Sequence, residues 1–341
     1  MQARAFITGL AGTAITPDER AFLREFRPWG LILFKRNIET AEQVFALTTS
    51  FRESVGDADA PVLIDQEGGR VQRMGPPHWP AYPPGAAYGR LYDRDRMKGL
   101  AAARLGGRLI ASDLIAVGIT VDCLPVADVP VKGADAVIGD RAYGDTPDKV
   151  SALAGAAASG LAEGGVLPVL KHIPGHGRAN ADSHAALPVV NAARADLEVS
   201  DFAAFRPLAG LPLAMTAHVV FTAIDPVSPA TTSAKMIRNV IRDGIGFQGL
   251  LMSDDLSMNA LSGSLRERTR AALAAGCDLG LHCNGKLEEM REVAAESPVL
   301  AGEALRRAQA ALAARKAPAE IDIAAARRQF AALMAEGAVT S

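Results

Sequence analysis

Short apolar runs rich in β-branched residues alternate along this chain with longer segments in which Ala, Leu and Arg recur at helical spacing. The runs fall at 5–10, 30–34, 61–65, 119–125, 166–172, 212–221, 249–253 and 279–283. Helix candidates lie between several of them, at 40–55, 95–117, 146–164, 233–243 and 262–275, and three more follow at 285–296, 299–315 and 322–337. Continuous apolar runs of this length read as strands covered on both faces. Strands that alternate with helices predict a parallel sheet, and eight of them in 341 residues predict a closed (β/α)8 barrel of TIM type. An open doubly wound sheet satisfies the same alternation. The chain has neither a G-x-G-x-x-G after a strand nor a Walker-type loop, so that alternative lacks its usual cofactor signature. The Pro-rich piece 75–84 reads as a loop after the third strand, since one strand pattern continues on both sides of it. The expectation is a single domain over 1–341, with C-terminal helices from about 285 to 337 packed on the barrel exterior.

Composition narrows the class. Apolar residues make up 49% of the chain, ample for a large core, and no run approaches the ~20 residues that span a bilayer. A net charge of −2 argues against a general nucleic-acid binder. The three cysteines, Cys123, Cys277 and Cys283, lack metal-type spacing, and the last two sit in or beside an apolar strand as buried thiols do. The short apolar patch after Arg4 runs straight into Asp18-Glu19-Arg20, which reads as a first strand and not a signal peptide. A reduced, cytoplasmic protein is expected, acting on a small molecule without membrane or nucleic acid as a partner.

Polar residues cluster where the predicted strands end. The third run ends Ile64-Asp65-Gln66-Glu67-Gly68-Gly69-Arg70-Val71-Gln72-Arg73. The fifth ends Leu170-Lys171-His172, the sixth contains Met215-Thr216-Ala217-His218, and the seventh ends Met252-Ser253-Asp254-Asp255-Leu256-Ser257-Met258. In a (β/α)8 barrel that rim is where active sites are built. Half of the six histidines fall between His172 and His184, on a segment too rich in Pro and Gly to be a helix. There Asp182 stands two residues before His184, where it can orient an imidazole for acid/base work near neutral pH.

The residues at this rim admit several chemistries. Asp254 and Asp255 are adjacent, so on an extended strand only one is expected to reach the barrel mouth. The other would accept hydrogen bonds in the wall or cap the next helix. A carboxylate in a cationic, hydroxyl-binding pocket can attack a sugar's anomeric carbon. Asp65 and Arg73 could hold vicinal hydroxyls through charge-assisted bonds, and Arg141, after the fourth strand, occupies a similar position. Lys171 and His172 end an otherwise buried strand, where an unpaired lysine is costly. A metal site would need His172 and His176 on one helical face, which Pro174, Gly175 and Gly177 prevent; no metal and no cofactor are expected.

The motifs K-H-I-P-G-H-G (171–177) with D-S-H (182–184), I-D-Q-E-G-G-R-V-Q-R (64–73) and S-D-D-L-S-M (253–258) together resemble the family 3 glycoside hydrolases. The branch most similar is the single-domain β-N-acetylhexosaminidases (β-N-acetylglucosaminidases) of peptidoglycan recycling, and the resemblance runs from the first strand to about residue 285. It implies a retaining exo-glycosidase without a cofactor, with Asp254 as nucleophile and His184 as acid/base, oriented by Asp182. It also implies sugar-binding roles for Asp65, Arg73, Arg141, Lys171 and His172. The substrate class it implies is an N-acetylglucosaminyl muropeptide or chitooligosaccharide, handled by a monomer. Phosphorolysis on the same scaffold, or sugar binding without catalysis, are the competing readings. The Gly/Pro content of 174–178 suggests a mobile connector that carries His184 toward substrate, and His176 and His218 are expected to complete buried hydrogen bonds. Departures from the family pattern are mild, such as Lys35 in the loop after the second strand, and none touches a functional position.

Overall fold

The structure is a computed structural model that describes residues 3–179, 181–183 and 186–338. Eight strands close a barrel: β1 (Arg4–Thr8), β2 (Pro28–Leu33), β3 (Val62–Ile64), β4 (Val121–Asp122), β5 (Leu167–Ile173), β6 (Leu213–Thr216), β7 (Leu250–Asp255) and β8 (Leu279–His282). Each pairs in parallel with the next in sequence, and β8 pairs with β1, Phe6 opposite Gly280 and Thr8 opposite His282. This is the (β/α)8 barrel of the sequence pattern, and closure rules out the open doubly wound sheet.

The pleat explains how continuous apolar runs serve it. Ala5, Ile7, Ile32, Leu63, Val121, Val169, Met215, Met252 and Leu281 form one buried cluster drawn from all eight strands, the filled barrel interior. Phe6, Leu31, Leu33, Val62 and Ile64, one residue out of phase, pack against the helices instead. Both faces are dry, so both phases of each strand are apolar. The expected helices are present within a few residues, for example Ala41–Val55, Arg96–Ile115 and Pro147–Glu163.

Several elements depart from the expectation, among them a helix at Gly85–Arg94 and a short hairpin of Gln66–Gly68 with Val71–Gln72. A helix at Pro17–Phe26 follows β1, where the charged sequence hid a stripe led by Phe22 and Leu23; Thr16 and Glu19 close its first turn as a capping box. The segment expected as a helix at 233–243 winds as a π-helix over Met236–Ile245. The run read as one strand at 212–221 is two, β6 and Val220–Phe221, which leaves the barrel to pair with Val189–Val190. Ile323–Ala338 packs against Gly85–Arg94 and Arg96–Ile115 on the outside of the barrel. Among the described residues no helix is long and apolar enough to cross a membrane.

Candidate active site

The C-terminal ends of the strands surround a cavity of about 330 Å³, at the small end of ligand pockets and suited to one sugar ring. Asp65, Arg73, Arg141, Lys171, His172, Asp182 and Asp254 all line it, which brings together every described residue expected in a catalytic or sugar-binding role. His184 lies outside the described residues.

One wall is a chain of alternating charges. Arg73 Nη2 donates to Asp65 Oδ2 at 3.0 Å, and Lys171 Nζ lies 2.8 Å from Asp65 Oδ1 and 2.6 Å from Glu67 Oε1. Glu67 in turn receives Arg141 through two bonds, at 2.9 and 2.8 Å. Burial alone would push Asp65 and Glu67 up and Lys171 and Arg141 down. The ion pairs overcome it, so Asp65 and Glu67 sit below the usual carboxylate range and Lys171 and Arg141 above their ordinary values. Lys171, 2% exposed, is thereby satisfied where it ends β5. Gly68 makes the turn that carries this wall. Its φ is +98°, and a Cβ there would stand 2.3 Å from the Pro83 carbonyl oxygen.

A second part of the lining holds the histidines. His172 Nδ1 lies 2.7 Å from Asp128 Oδ2, and the backbone N–H groups of His172 and His176 both donate to Asp128 Oδ1. Asp128 therefore fixes two imidazoles at once, and their rings meet edge to face at 5.7 Å. His176 Nε2 bonds Ser183 Oγ at 3.2 Å, which ties Ser183 to the cavity. Burial is the main cause that lowers His176, to about 4, so at neutral pH it is an uncharged ring and no acid. His218 is also lowered by burial; it bonds Thr231 Oγ1 and the Asp255 carbonyl, the buried role expected of it.

Asp254 faces the cavity from the end of β7. Burial opposes its charge, but His218, His172 and the Asp255 N–H at 2.8 Å outweigh burial and hold its carboxyl below the ordinary value. It stands ready as an anion. The register slips between Met252 and Asp255, so Asp255 also touches the cavity, contrary to strict alternation. Its oxygens are committed to Ser257 and to the Cys283 N–H, while the next helix is capped by Ser264.

The expectation of a mobile connector at 174–178 is not met at its start. Pro174–Gly177 is buried, Gly177 lies against the Val129 carbonyl where any Cβ would clash at 2.2 Å, and Arg178 pairs with Asp201. Two residues that hold the lining side chains in place, Glu67 and Asp128, lie outside the expected site residues. Glu67 could have been found from its two-residue spacing to Asp65; Asp128 stayed hidden because Pro125 seemed to end the fourth strand, whereas Val126 still bridges Lys171. Among the described residues, no three of His, Cys, Asp and Glu gather as metal ligands would.

The sequence profile described as "Glycosyl hydrolase family 3 N terminal domain" matches residues 8–315. Beta-hexosaminidases from Alkalilimnicola ehrlichii and Thioalkalivibrio sulfidiphilus are 43% and 42% identical over 282 and 281 residues, in each case 81% of this chain and 79% of the relative. Among solved structures, native NagZ from Neisseria gonorrhoeae superposes with a TM-score of 0.85 at 32% identity, over 98% of this chain and 97% of that one. The same protein has been solved in complex with N-trifluoroacetyl-D-glucosamine.

Proposed function

Since this chain belongs to glycoside hydrolase family 3 and is a glycoside hydrolase of β-hexosaminidase type, we propose that it releases terminal β-linked N-acetylglucosamine with retention, from 1,6-anhydro-muropeptides of cell-wall recycling in the cytoplasm. The observation that carries this reading is the ionised Asp254 facing a one-sugar cavity whose other wall is an ordered set of hydroxyl-binding charges.

In the first step a carboxylate oxygen of Asp254 attacks the anomeric carbon as the bond to the aglycone oxygen breaks, and protonated His184 gives its proton to that oxygen. In the second step water attacks the same carbon, Asp254 leaves as the carboxylate, and His184 takes the water's proton. Two inversions give net retention. Asp182 holds the imidazole and steadies its charged form. Asp65, Arg73, Arg141, Lys171 and His172 hold the sugar hydroxyls. His176 and His218, uncharged at neutral pH, keep the nucleophile's surroundings polar without supplying a competing acid.

Hydrolysis of 4-nitrophenyl N-acetyl-β-glucosaminide tests the reading: the wild type turns over and Asp254→Ala does not, with its fold retained. Full activity in that variant would move the nucleophile, with Asp255 the first alternative. Free N-acetylglucosamine as the product in phosphate buffer, in place of its 1-phosphate, separates hydrolysis from phosphorolysis.

A further inference from the structure

The hairpin of Gln66–Gly68 with Val71–Gln72 carries Glu67, and Arg73 follows its second strand, so the charge wall is only as well placed as this hairpin. A two-stranded hairpin has little stability of its own and must be held by its surroundings. Arg70 pins its tip to the carbonyls of Ala136 and Ile138, and Tyr82 grips its body. The Tyr82 carbonyl accepts the Gly69 N–H at 2.8 Å, and the Tyr82 N–H donates to Gln72 Oε1 at 2.9 Å. Three residues on, the backbone at Gly85 abuts the far end of the wall: a Cβ there would stand 2.2 Å from the Arg141 carbonyl oxygen. Segment 82–85 thus supports the charge wall at both of its ends.

Tyr82 is itself anchored on the barrel exterior. It is buried, and its ring lies 6.3 Å, centroid to centroid, from Phe330. Its hydroxyl donates to Asp113 Oδ2 at 2.6 Å, and Arg327 Nη2 donates to Asp113 Oδ1 at 2.6 Å. Arg327 Nη1 also reaches the Tyr82 hydroxyl oxygen at 3.4 Å, so the three groups close a ring of bonds. Burial, and after it Asp113, push the tyrosine hydroxyl up, so it remains a donor to the carboxylate. Bonds to a charged group on both of its oxygens make this a fixed joint. Arg327 and Phe330 belong to the helix Ile323–Ala338, beyond the residues that the family profile matches.

We propose that Arg327 is a positioning residue: through Asp113 and Tyr82 it sets the sugar-holding wall from the outside of the barrel. The inference rests on the sugar-binding reading of that wall and adds to it a group on a helix outside the cavity. The path is short and made of single contacts, Arg327 to Asp113 to Tyr82 to the hairpin, so each link can be cut by itself.

Tyr82→Phe and Arg327→Met each cut one link and keep most of the packing. Each should raise KM for 4-nitrophenyl N-acetyl-β-glucosaminide, and Ki for N-acetylglucosamine as product, by about threefold to tenfold, with kcat changed less than about twofold. Arg327→Lys keeps the cation and should recover most of the loss, and the double variant should be little worse than either single one. Lys98→Ala breaks a different tie of the same helix, to Glu336, and should leave KM and Ki as they are. In the free enzyme, amide hydrogen exchange over residues 66–73 should quicken in Tyr82→Phe and Arg327→Met and not in Lys98→Ala. Unchanged KM and Ki in Tyr82→Phe and Arg327→Met, even with a lowered unfolding temperature, would leave the joint a purely structural role and overturn the proposal. So would a rise in Lys98→Ala equal to that in Arg327→Met, since any loosening of the helix would then suffice. If the wild type cleaves no N-acetylglucosaminide, the function fails separately, and the exchange rates decide this inference: quickened exchange supports it and unchanged exchange refutes it.

Discussion

The two walls of the catalytic cavity hold charge in opposite ways. The Arg73–Asp65–Lys171–Glu67–Arg141 wall saturates every charge with a counter-charge. The Asp254 wall leaves a carboxylate among imidazoles, two of which, His176 and His218, are pulled down by burial and so uncharged near neutral pH. A saturated wall is stiff and presents donors and acceptors in fixed places, as sugar recognition requires. The sparse wall keeps its anion available to react. Binding and chemistry thus ask different things of the same rim, and substitutions should separate them.

The sharpest separation is Asp254→Asn. It should lower kcat on the order of 10⁴-fold in the nitrophenyl assay while thermal unfolding stays at or slightly above the wild-type temperature, because no fixed cation loses its partner. Lys171→Met should do the reverse to stability. Asp65 and Glu67 would be left as buried anions with one partner each, costing about 3–5 kcal/mol in denaturant unfolding. If the two variants behaved alike, the contrast between the walls would be wrong. Next in size, Asp128→Asn removes the charge from the bond to His172 Nδ1 and one acceptor oxygen. A loss of about 1.5–3 kcal/mol corresponds to roughly ten- to a hundredfold in kcat/KM.

The pH dependence should differ as well. Asp65 and Glu67 have folded values below the unfolded ones, so their stabilisation is present above the unfolded carboxylate value and is lost as pH falls through the folded one. Lys171 is raised, so its share is present below the ordinary lysine value and is lost only as pH rises beyond it. The share of stability that comes from this wall should therefore be flat from about pH 5 to 10, and activity should fall within a narrower bell set by the acid/base histidine.

The smallest effect concerns Asp122, at the end of β4 below this wall. One oxygen accepts the Gln66 N–H at 2.9 Å and the other has no hydrogen-bond partner among the described residues, and burial raises the carboxyl to about 8. A raised carboxyl loses stability as pH climbs from the unfolded value to the folded one, so Asp122→Asn should raise the unfolding temperature more at pH 9 than at pH 5.

How much of this could be read from the chain follows from which interactions are local. The strands and the polar residues at their ends are periodic and local, and all eight strands fall where the pattern put them. Asp128 is legible only once Val126 is seen to bridge Lys171, a contact across 45 positions of sequence. The Pro17–Phe26 helix was hidden because only a few of its positions are apolar, and the Thr16 capping box was the available signal. Gly and Pro at 174–177 suggested freedom, yet here they permit close packing, as Gly177 against Val129 shows. Composition reports what a free chain can do; packing decides what it does.

The β8–β1 seam also orders events during synthesis. By residue 172 a growing chain already carries Asp65, Arg73, Arg141, Lys171 and His172, but strand pairing joins Phe6 to Gly280, and Asp254 stands on the neighbour of that last strand. A ribosome-bound chain that stops short of residue 279 can neither close the cylinder nor fix Asp254 at the closed rim. The assembled cavity therefore forms late in translation, with the last strand.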